Sequence, residues 1–166
     1  MVPTAGDEDR LEAFGPEVCR RLLRRHRFGR IAVTDADGPV IFPVNYMMDG
    51  DSIVFRTDEG TKLHSARAGA TVAFEIDGVD PVHRLGWSVL ARGVLEPVAA
   101  TDASSERAVL PAAPYPEGRR THVVRISSPH LTGRRIPVSR DIAEAWLDQA
   151  EIGNVWYDRD GSDLLG

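Results

Sequence analysis

Cysteine, lysine and long apolar runs are scarce in this sequence of 166 residues. The single cysteine, Cys19, has no partner for an internal disulfide, so the fold must be stable through its apolar core alone. No apolar run approaches the roughly 20 residues that a membrane-spanning helix requires. Residues 1–10 are polar and acidic, unlike a secretory leader. These absences predict a soluble, cytoplasmic protein that does not bind membranes.

Acidic residues outnumber basic ones, and almost all of the basic residues are arginine. The formal net charge is −5 at pH 7, which disfavours nucleic-acid binding, because that function requires a basic surface. Among the 20 lysines and arginines, Lys62 is the only lysine. It is therefore a candidate for a specific role. The five histidines lack the spacing of metal ligands, so no metal site is expected.

Hydrophobic periodicity predicts a mainly β domain with small helices. Alternating patterns predict six strands, at residues 30–34, 40–48, 52–57, 70–77, 86–96 and 122–127. Apolar residues at helical spacing predict helices at residues 16–26, 61–68, 102–110 and 139–149. Pro43 marks an interruption of the second strand, because proline cannot donate to a strand ladder. Gly93 is expected to bend the fifth strand.

The connections between these strands predict their arrangement. Short turns join the first three strands into an antiparallel meander, and no crossover connection separates them, which excludes a doubly wound parallel sheet. A closed or partly open six-stranded antiparallel β-barrel leaves few exposed strand edges and is favoured. The predicted organisation is a flexible segment, one domain and a tail, at residues 1–15, 16–150 and 151–166.

The most informative segment, residues 56–62, lies where the third strand ends and a short helix begins. Backbone N–H groups at the start of a helix lack internal partners and attract anions such as phosphate. The side chains and backbone positions that suit a phosphate are Arg56, Thr57, Gly60, Thr61 and Lys62. Asp58 and Glu59 would repel an anion unless they point to solvent. An ordinary turn before a capped helix is the alternative interpretation.

This segment is one of several motifs that occur in a recognisable order. Residues 29–33 (GRIAV), 43–46 (PVNY), 55–62 (FRTDEGTK), 72–77 (VAFEID) and 86–89 (GWSV) resemble the pyridoxamine 5′-phosphate oxidase-like, flavin-binding split-barrel family. The resemblance runs from about residue 16 to about residue 136. It implies a six-stranded split barrel that forms a homodimer and holds FMN at the interface between subunits.

The resemblance also implies roles for individual residues. The five phosphate candidates above would hold the FMN phosphate. The strand through Pro43, Val44, Asn45 and Tyr46 would pass along the isoalloxazine ring. Three further residues would lie near the ring or the ribityl chain, or reach it from the second subunit: Glu75, Trp87 and Ser88. The other interpretations of these three are a strand-face carboxylate, a core indole and a strand hydroxyl.

The resemblance implies an FMN-dependent oxidoreductase that acts on a small-molecule substrate. The flavin would carry out the chemistry, and the pocket around it would be shaped by Tyr46, Trp87 and Arg56. Residues 126–136 do not match the substrate-binding motif of the true pyridoxamine phosphate oxidase, so that activity is not expected. The Gly133-Arg134-Arg135 stretch is either close to the cofactor or a surface turn.

Two alternatives stay open. One is a reductase that uses the deazaflavin F420, whose long acidic tail would lie along arginines of the first helix, at positions 20, 21, 24 and 25. The other is a non-catalytic module that stores or carries a flavin. Whether the chain is an enzyme is not decided by the sequence, because the same phosphate-binding residues serve both functions.

Overall fold

The computed structural model describes residues 13–80, 85–99 and 122–137. These residues form two helices, α1 (Pro16–Arg25) and α2 (Thr61–Arg67). The strands are β1 (Ala13–Phe14), β2 (Phe28–Asp35), β3 (Gly38–Asp49), β4 (Ser52–Thr57), β5 (Thr71–Asp80), β6 (Leu85–Pro97) and β7 (His122–Pro137). The predicted helices at 102–110 and 139–149 and the predicted tail at 151–166 lie outside the described residues.

The strands form one antiparallel sheet that closes on itself. Its order is β1-β7-β4-β3-β2-β5-β6, and β6 also pairs with β7. This last pairing completes a ring of six strands, with β1 added at the outer edge of β7. Closure removes the exposed edges that an open sheet of this kind would have. The predicted six-stranded antiparallel split barrel is confirmed.

The structure differs from the sequence prediction at three points. Residues 13–14, placed in the flexible segment, form β1 because Phe14 packs on the core opposite Gly133, where no side chain obstructs it. Strand β7 continues ten residues beyond its predicted end, because β6 pairs with it along most of its length. Arg134 therefore lies within β7, paired with Ser88, and the surface-turn interpretation of this stretch is wrong.

The register along β6 and β7 is broken once, between Arg92 and Val94. A shift of this kind leaves an extra residue on one strand and bends it. Here the extra residue is on β7, where Ser128 and Pro129 lie opposite Gly93 alone, so the predicted bend of the strand at Gly93 stays a prediction. A Cβ atom at this position would lie 2.7 Å from the Ile126 side chain, which explains why a glycine stands here.

Alternate residues of the strands point into the barrel and form one apolar core with both helices. The largest fully buried side chains include Ile31, Ile53, Phe55, Phe74, Ile76, Leu95 and Ile126. Helix α1 adds Cys19, Leu22 and Leu23, and α2 adds Leu63 and Ala66. Neither helix in the described ranges is long and apolar enough to span a membrane.

Tyr46 connects α1 to the barrel. Its side chain is buried in the core, its hydroxyl donates a hydrogen bond of 2.9 Å to the carbonyl oxygen of Leu23, and its ring contacts Phe74 edge-on. Burial raises the pKa of the Tyr46 phenol above its ordinary value, and the nearby charge of Arg27 opposes this only in part. The folded state therefore strongly favours the neutral phenol.

Replacing Tyr46 by Phe is expected to lower the free energy of unfolding at neutral pH by about 1 kcal/mol, since one buried hydrogen bond is lost. This deficit is expected to shrink above about pH 10, where only the unfolded wild-type protein releases the phenol proton. Wild-type stability then falls with rising pH, whereas the variant has no phenol to titrate at this position. Urea unfolding of both proteins across this range is the measurement, and a constant deficit would contradict the buried neutral phenol.

Candidate functional site

Strand β3 changes its pairing partner along its length, and this change opens the barrel. Residues 38–45 pair with β2, whereas residues 46–49 pair with β4. The ladder between β3 and β4 ends at the pair Tyr46–Phe55. The last two residues of β4, Arg56 and Thr57, pair with β7 instead. A gap therefore separates the end of β4 from residues 43–44 of β3.

A pocket of about 240 Å³ occupies this gap. Its lining comes from β3, the end of β4, the following turn and α2, and consists of Pro43, Val44, Arg56, Thr57, Asp58, Glu59, Gly60 and Lys62. Six of these eight residues are sequence-predicted site residues. The structure therefore brings together the predicted phosphate turn and the predicted ring-binding strand, which are separated by more than ten residues in the chain.

The turn that forms one wall of the pocket has a constrained backbone. Gly60 has a φ of 141°, which side-chain-bearing residues rarely adopt. The Thr57 side chain is buried, and its hydroxyl donates a hydrogen bond of 3.1 Å to the carbonyl oxygen of Asp58. In the structure Thr57 thus stabilises the turn, and the side chains that contribute positive charge to the pocket are Arg56 and Lys62.

Lys62 is positioned by an aromatic ring that sequence reasoning missed. Its Nζ atom lies 4.1 Å from the centroid of the Phe42 ring, a cation–π distance. Phe42 is half-buried and packs against the core. The sequence signal for this contact was weak, because the two residues lie on different elements and only the fold brings them together.

The two acidic residues of the turn, Asp58 and Glu59, are exposed and also belong to the pocket lining. Glu59 accepts hydrogen bonds of 3.1 Å and 3.0 Å from Nη1 and Nη2 of Arg67, and His122 Nε2 lies 3.2 Å from Glu59 Oε1. The hydrogen bonds from Arg67 are the main reason that the pKa of Glu59 is lowered. Glu59 therefore stays ionised and is paired with groups that do not line the pocket.

The remaining predicted residues do not line this pocket. The side chains of Tyr46 and Trp87 lie in the core, where Trp87 contacts the His26 ring at 4.8 Å. Neither side chain lines the pocket of this chain, because their strand positions point into the barrel, and a role of Tyr46 and Trp87 at the cofactor stays a prediction. Asn45 and Thr61 are half-buried outside the lining. Glu75 and Ser88 lie on the outer side of β5 and β6, two and three strands from β3.

Glu75 belongs to a charged cluster on that outer side. Arg30 Nη1 lies 2.6 Å from Asp77 Oδ1 and 3.3 Å from Glu75 Oε2. Burial and the negative charge of Asp77 raise the pKa of Glu75, whereas Arg30 lowers it in part. Arg30 is paired across the sheet with Pro43 on one side and Glu75 on the other. The cluster is thus next to the strand that lines the pocket.

Two of the arginines of α1, Arg20 and Arg24, lie at the other end of β4. Arg20 is within 2.6 Å of a Glu17 carboxylate oxygen and 3.2 Å of Asp51 Oδ1, and Arg24 Nη2 lies 3.9 Å from the same Asp51 oxygen. Asp51 precedes β4, whereas Thr57 ends it, which separates the two by roughly 20 Å of extended strand. Arg20 and Arg24 therefore do not extend the pocket as a groove for a long acidic tail.

Comparison with known proteins identifies similar chains. Residues 16–135 match the pyridoxamine 5′-phosphate oxidase family, which is more than half of the chain. An uncharacterised protein of Mycobacterium tuberculosis is 39% identical over 79 residues, 45% of this chain and 52% of that protein. The chain thus spans about half the length of this curated relative.

Two solved structures are similar in three dimensions. The FAD binding protein from Mycobacterium smegmatis has 37% sequence identity and a TM-score of 0.61, over 75% of this chain and 98% of that chain. An FAD-binding protein from Mesorhizobium loti has 19% identity and a TM-score of 0.67, over 76% of this chain and 99% of that chain. The second likeness concerns the fold alone.

Replacing Arg30 by Gln is expected to raise the pKa of Glu75 further, because the cation that favours its ionised form is removed while Asp77 stays nearby. An NMR titration of the side-chain carboxyl carbons measures this pKa directly. Replacing Arg67 by Gln is the matched control, since it removes a cation from Glu59 and is expected to leave Glu75 unchanged. An unchanged Glu75 pKa in the Arg30 variant would contradict the ion pairs described here.

Proposed function

Because this chain belongs to the pyridoxamine 5′-phosphate oxidase family, we propose that it binds a flavin nucleotide, FMN, and uses it as an oxidoreductase acting on a small-molecule substrate. The observation that carries this proposal is the pocket between β3 and β4, which combines Arg56 and Lys62 with a glycine turn. Arginine offers paired donors to a phosphate, and lysine adds a point charge. The solved relative with 37% identity is named as an FAD binding protein, which supports a flavin.

The size of the pocket limits which part of the flavin it holds. A volume of about 240 Å³ is smaller than the roughly 300–1,000 Å³ of pockets that enclose whole drug-sized ligands. The charged end of this pocket suits the phosphate and the adjoining part of the ribityl chain. The isoalloxazine ring then needs additional walls, along β3 and beyond the protomer.

FMN is proposed because it is the smallest flavin that has both the phosphate and the ring. FAD shares the phosphate next to the ribityl chain, and the name of the solved relative with 37% identity favours it as the alternative. The deazaflavin F420 has less support, because Arg20 and Arg24 are paired with carboxylates at the far end of β4. Titration with each cofactor separately distinguishes the three.

When bound, a flavin supplies hydride or electron transfer that no side chain of the pocket provides. The residues of this chain hold and orient the cofactor: Arg56 and Lys62 contact the phosphate, Gly60 lets the backbone approach, and Pro43 and Val44 border the ring. A carrier that binds flavin without turnover uses the same contacts. Steady-state oxidation of NADH or NADPH separates an enzyme from a carrier.

We also propose that the protein is a homodimer whose second copy completes the flavin site. Phe28 and Ile41 are large apolar residues that are 53% and 63% exposed. Both lie on the outer side of the sheet with Arg30 and Glu75: Ile41 is in the pocket strand β3 itself, and Phe28 is in the neighbouring strand β2. Burying such side chains against a second copy is favourable, and the outward position of Ser88 suits contact with a flavin held by that copy.

Purified protein titrated with FMN is expected to quench and shift the flavin absorbance and fluorescence, with riboflavin binding much more weakly because it lacks the phosphate. Replacing Lys62 by Met is expected to lower FMN affinity about tenfold or more, since a charge-assisted contact is lost, and to leave riboflavin affinity unchanged. Replacing Arg21 by Met removes an exposed charge from α1 and is the matched control. No binding of FMN, FAD or F420 would contradict the proposed function.

Light scattering during size-exclusion chromatography is expected to give the mass of two 18.2 kDa chains. Replacing Ile41 by Asp is expected to shift the protein toward the monomer, because it places a charge in the proposed interface. Replacing Val94, a strand residue that is 40% exposed on β6, by Asp is the control and is expected to leave the dimer intact. A monomeric wild-type protein at micromolar concentration would contradict the dimer.

A further inference from the structure

The lining of the pocket contains equal numbers of positive and negative side chains. Arg56 and Lys62 contribute two positive charges, and Asp58 and Glu59 contribute two negative charges. An anion binds where one sign prevails, so a lining whose formal charges cancel is a poor phosphate site. The outcome depends on how the carboxylates are paired.

Glu59 is paired with groups that lie outside the lining. Arg67, at the end of α2, donates one hydrogen bond to each Glu59 oxygen. This bidentate contact orients the carboxylate, and the guanidinium compensates its negative charge. His122, at the start of β7, contacts the same carboxylate. Because His122 is paired with Thr57 in the sheet, these contacts connect the turn to both neighbouring elements.

We propose that Arg67 is a positioning residue of the anion site, which cancels the charge of Glu59 and keeps its oxygens directed away from the phosphate. The inference rests on the proposed flavin-phosphate binding: once Glu59 is compensated, the charges of Arg56 and Lys62 exceed that of Asp58, and positive charge prevails in the pocket. Both side chains are more than half exposed, so the ion pair adds little to stability. A variant that lacks Arg67 is therefore expected to fold normally.

The test is a double-mutant cycle of Glu59→Gln and Arg67→Gln, in which FMN and riboflavin are titrated against each protein. Arg67→Gln is expected to weaken FMN binding about fivefold at an ionic strength of about 0.1 M, because Glu59 then keeps only its His122 contact and no guanidinium compensates its charge beside the phosphate. Riboflavin affinity is expected to stay unchanged. In the double variant FMN affinity is expected to return to the wild-type value, since the repelling carboxylate is also gone.

The dependence of FMN affinity on salt concentration distinguishes an electrostatic role of Arg67 from a purely structural one. The difference between wild type and Arg67→Gln is expected to disappear at about 1 M salt, where exposed charges are screened. Replacing Arg21, on α1, by Gln is the charge-matched control and is expected to leave FMN affinity unchanged. Circular dichroism of each variant checks that the fold is retained.

Two results would overturn the proposal, and they are distinguishable. If wild type binds FMN well but the double variant is as weak as Arg67→Gln, Arg67 contacts the phosphate itself or supports the fold, and the positioning role is wrong while flavin binding stands. If wild type binds neither FMN nor FAD more tightly than riboflavin, there is no phosphate site, and the proposed function fails together with this inference.

Discussion

The change of pairing partner within β3 is the constraint on which the rest of the site depends. A strand that is hydrogen-bonded along both edges leaves no space for a ligand between it and its neighbours. Here the ladder between β3 and β4 stops at Tyr46 and Phe55, while the end of β4 stays attached to β7. The barrel remains closed through β6 and β7, so the opening at β3 does not require the loss of the core.

Because side chains alternate along a strand, some of the predicted site residues point into the core and others lie on the outer side of the sheet. Trp87 and Ser88 are neighbours in the chain, yet the indole is buried in the core and the hydroxyl is on the outer side. Glu75 is outside for the same reason. The charged end of the pocket is therefore formed by the ends of β3 and β4 and the following turn, whereas Glu75 and Ser88 face outward on β5 and β6.

Local pairing compensates several carboxylates of this protein, whose net charge is −5, and one of them lines the pocket. Glu59 is paired with Arg67, Asp77 with Arg30, and Asp51 with Arg20. Each of these acids is compensated by a cation outside the lining of the pocket. Net charge thus describes long-range attraction or repulsion, whereas binding at the pocket depends on the pairing within a few ångströms.

The sequence by itself determined six of the seven strands described, the two helices of the described ranges, the antiparallel meander of β2, β3 and β4 and the turn before α2, because hydrophobic period, glycine turns and residue type act over short stretches of chain. It did not determine how the other strands pair, that β7 extends to Pro137, or that Lys62 meets Phe42. Those contacts join residues far apart in the chain, and no local pattern encodes them. Tertiary structure alone decided that Trp87 is a core residue and that Arg67 pairs with Glu59, since barrel closure fixes which face each side chain occupies.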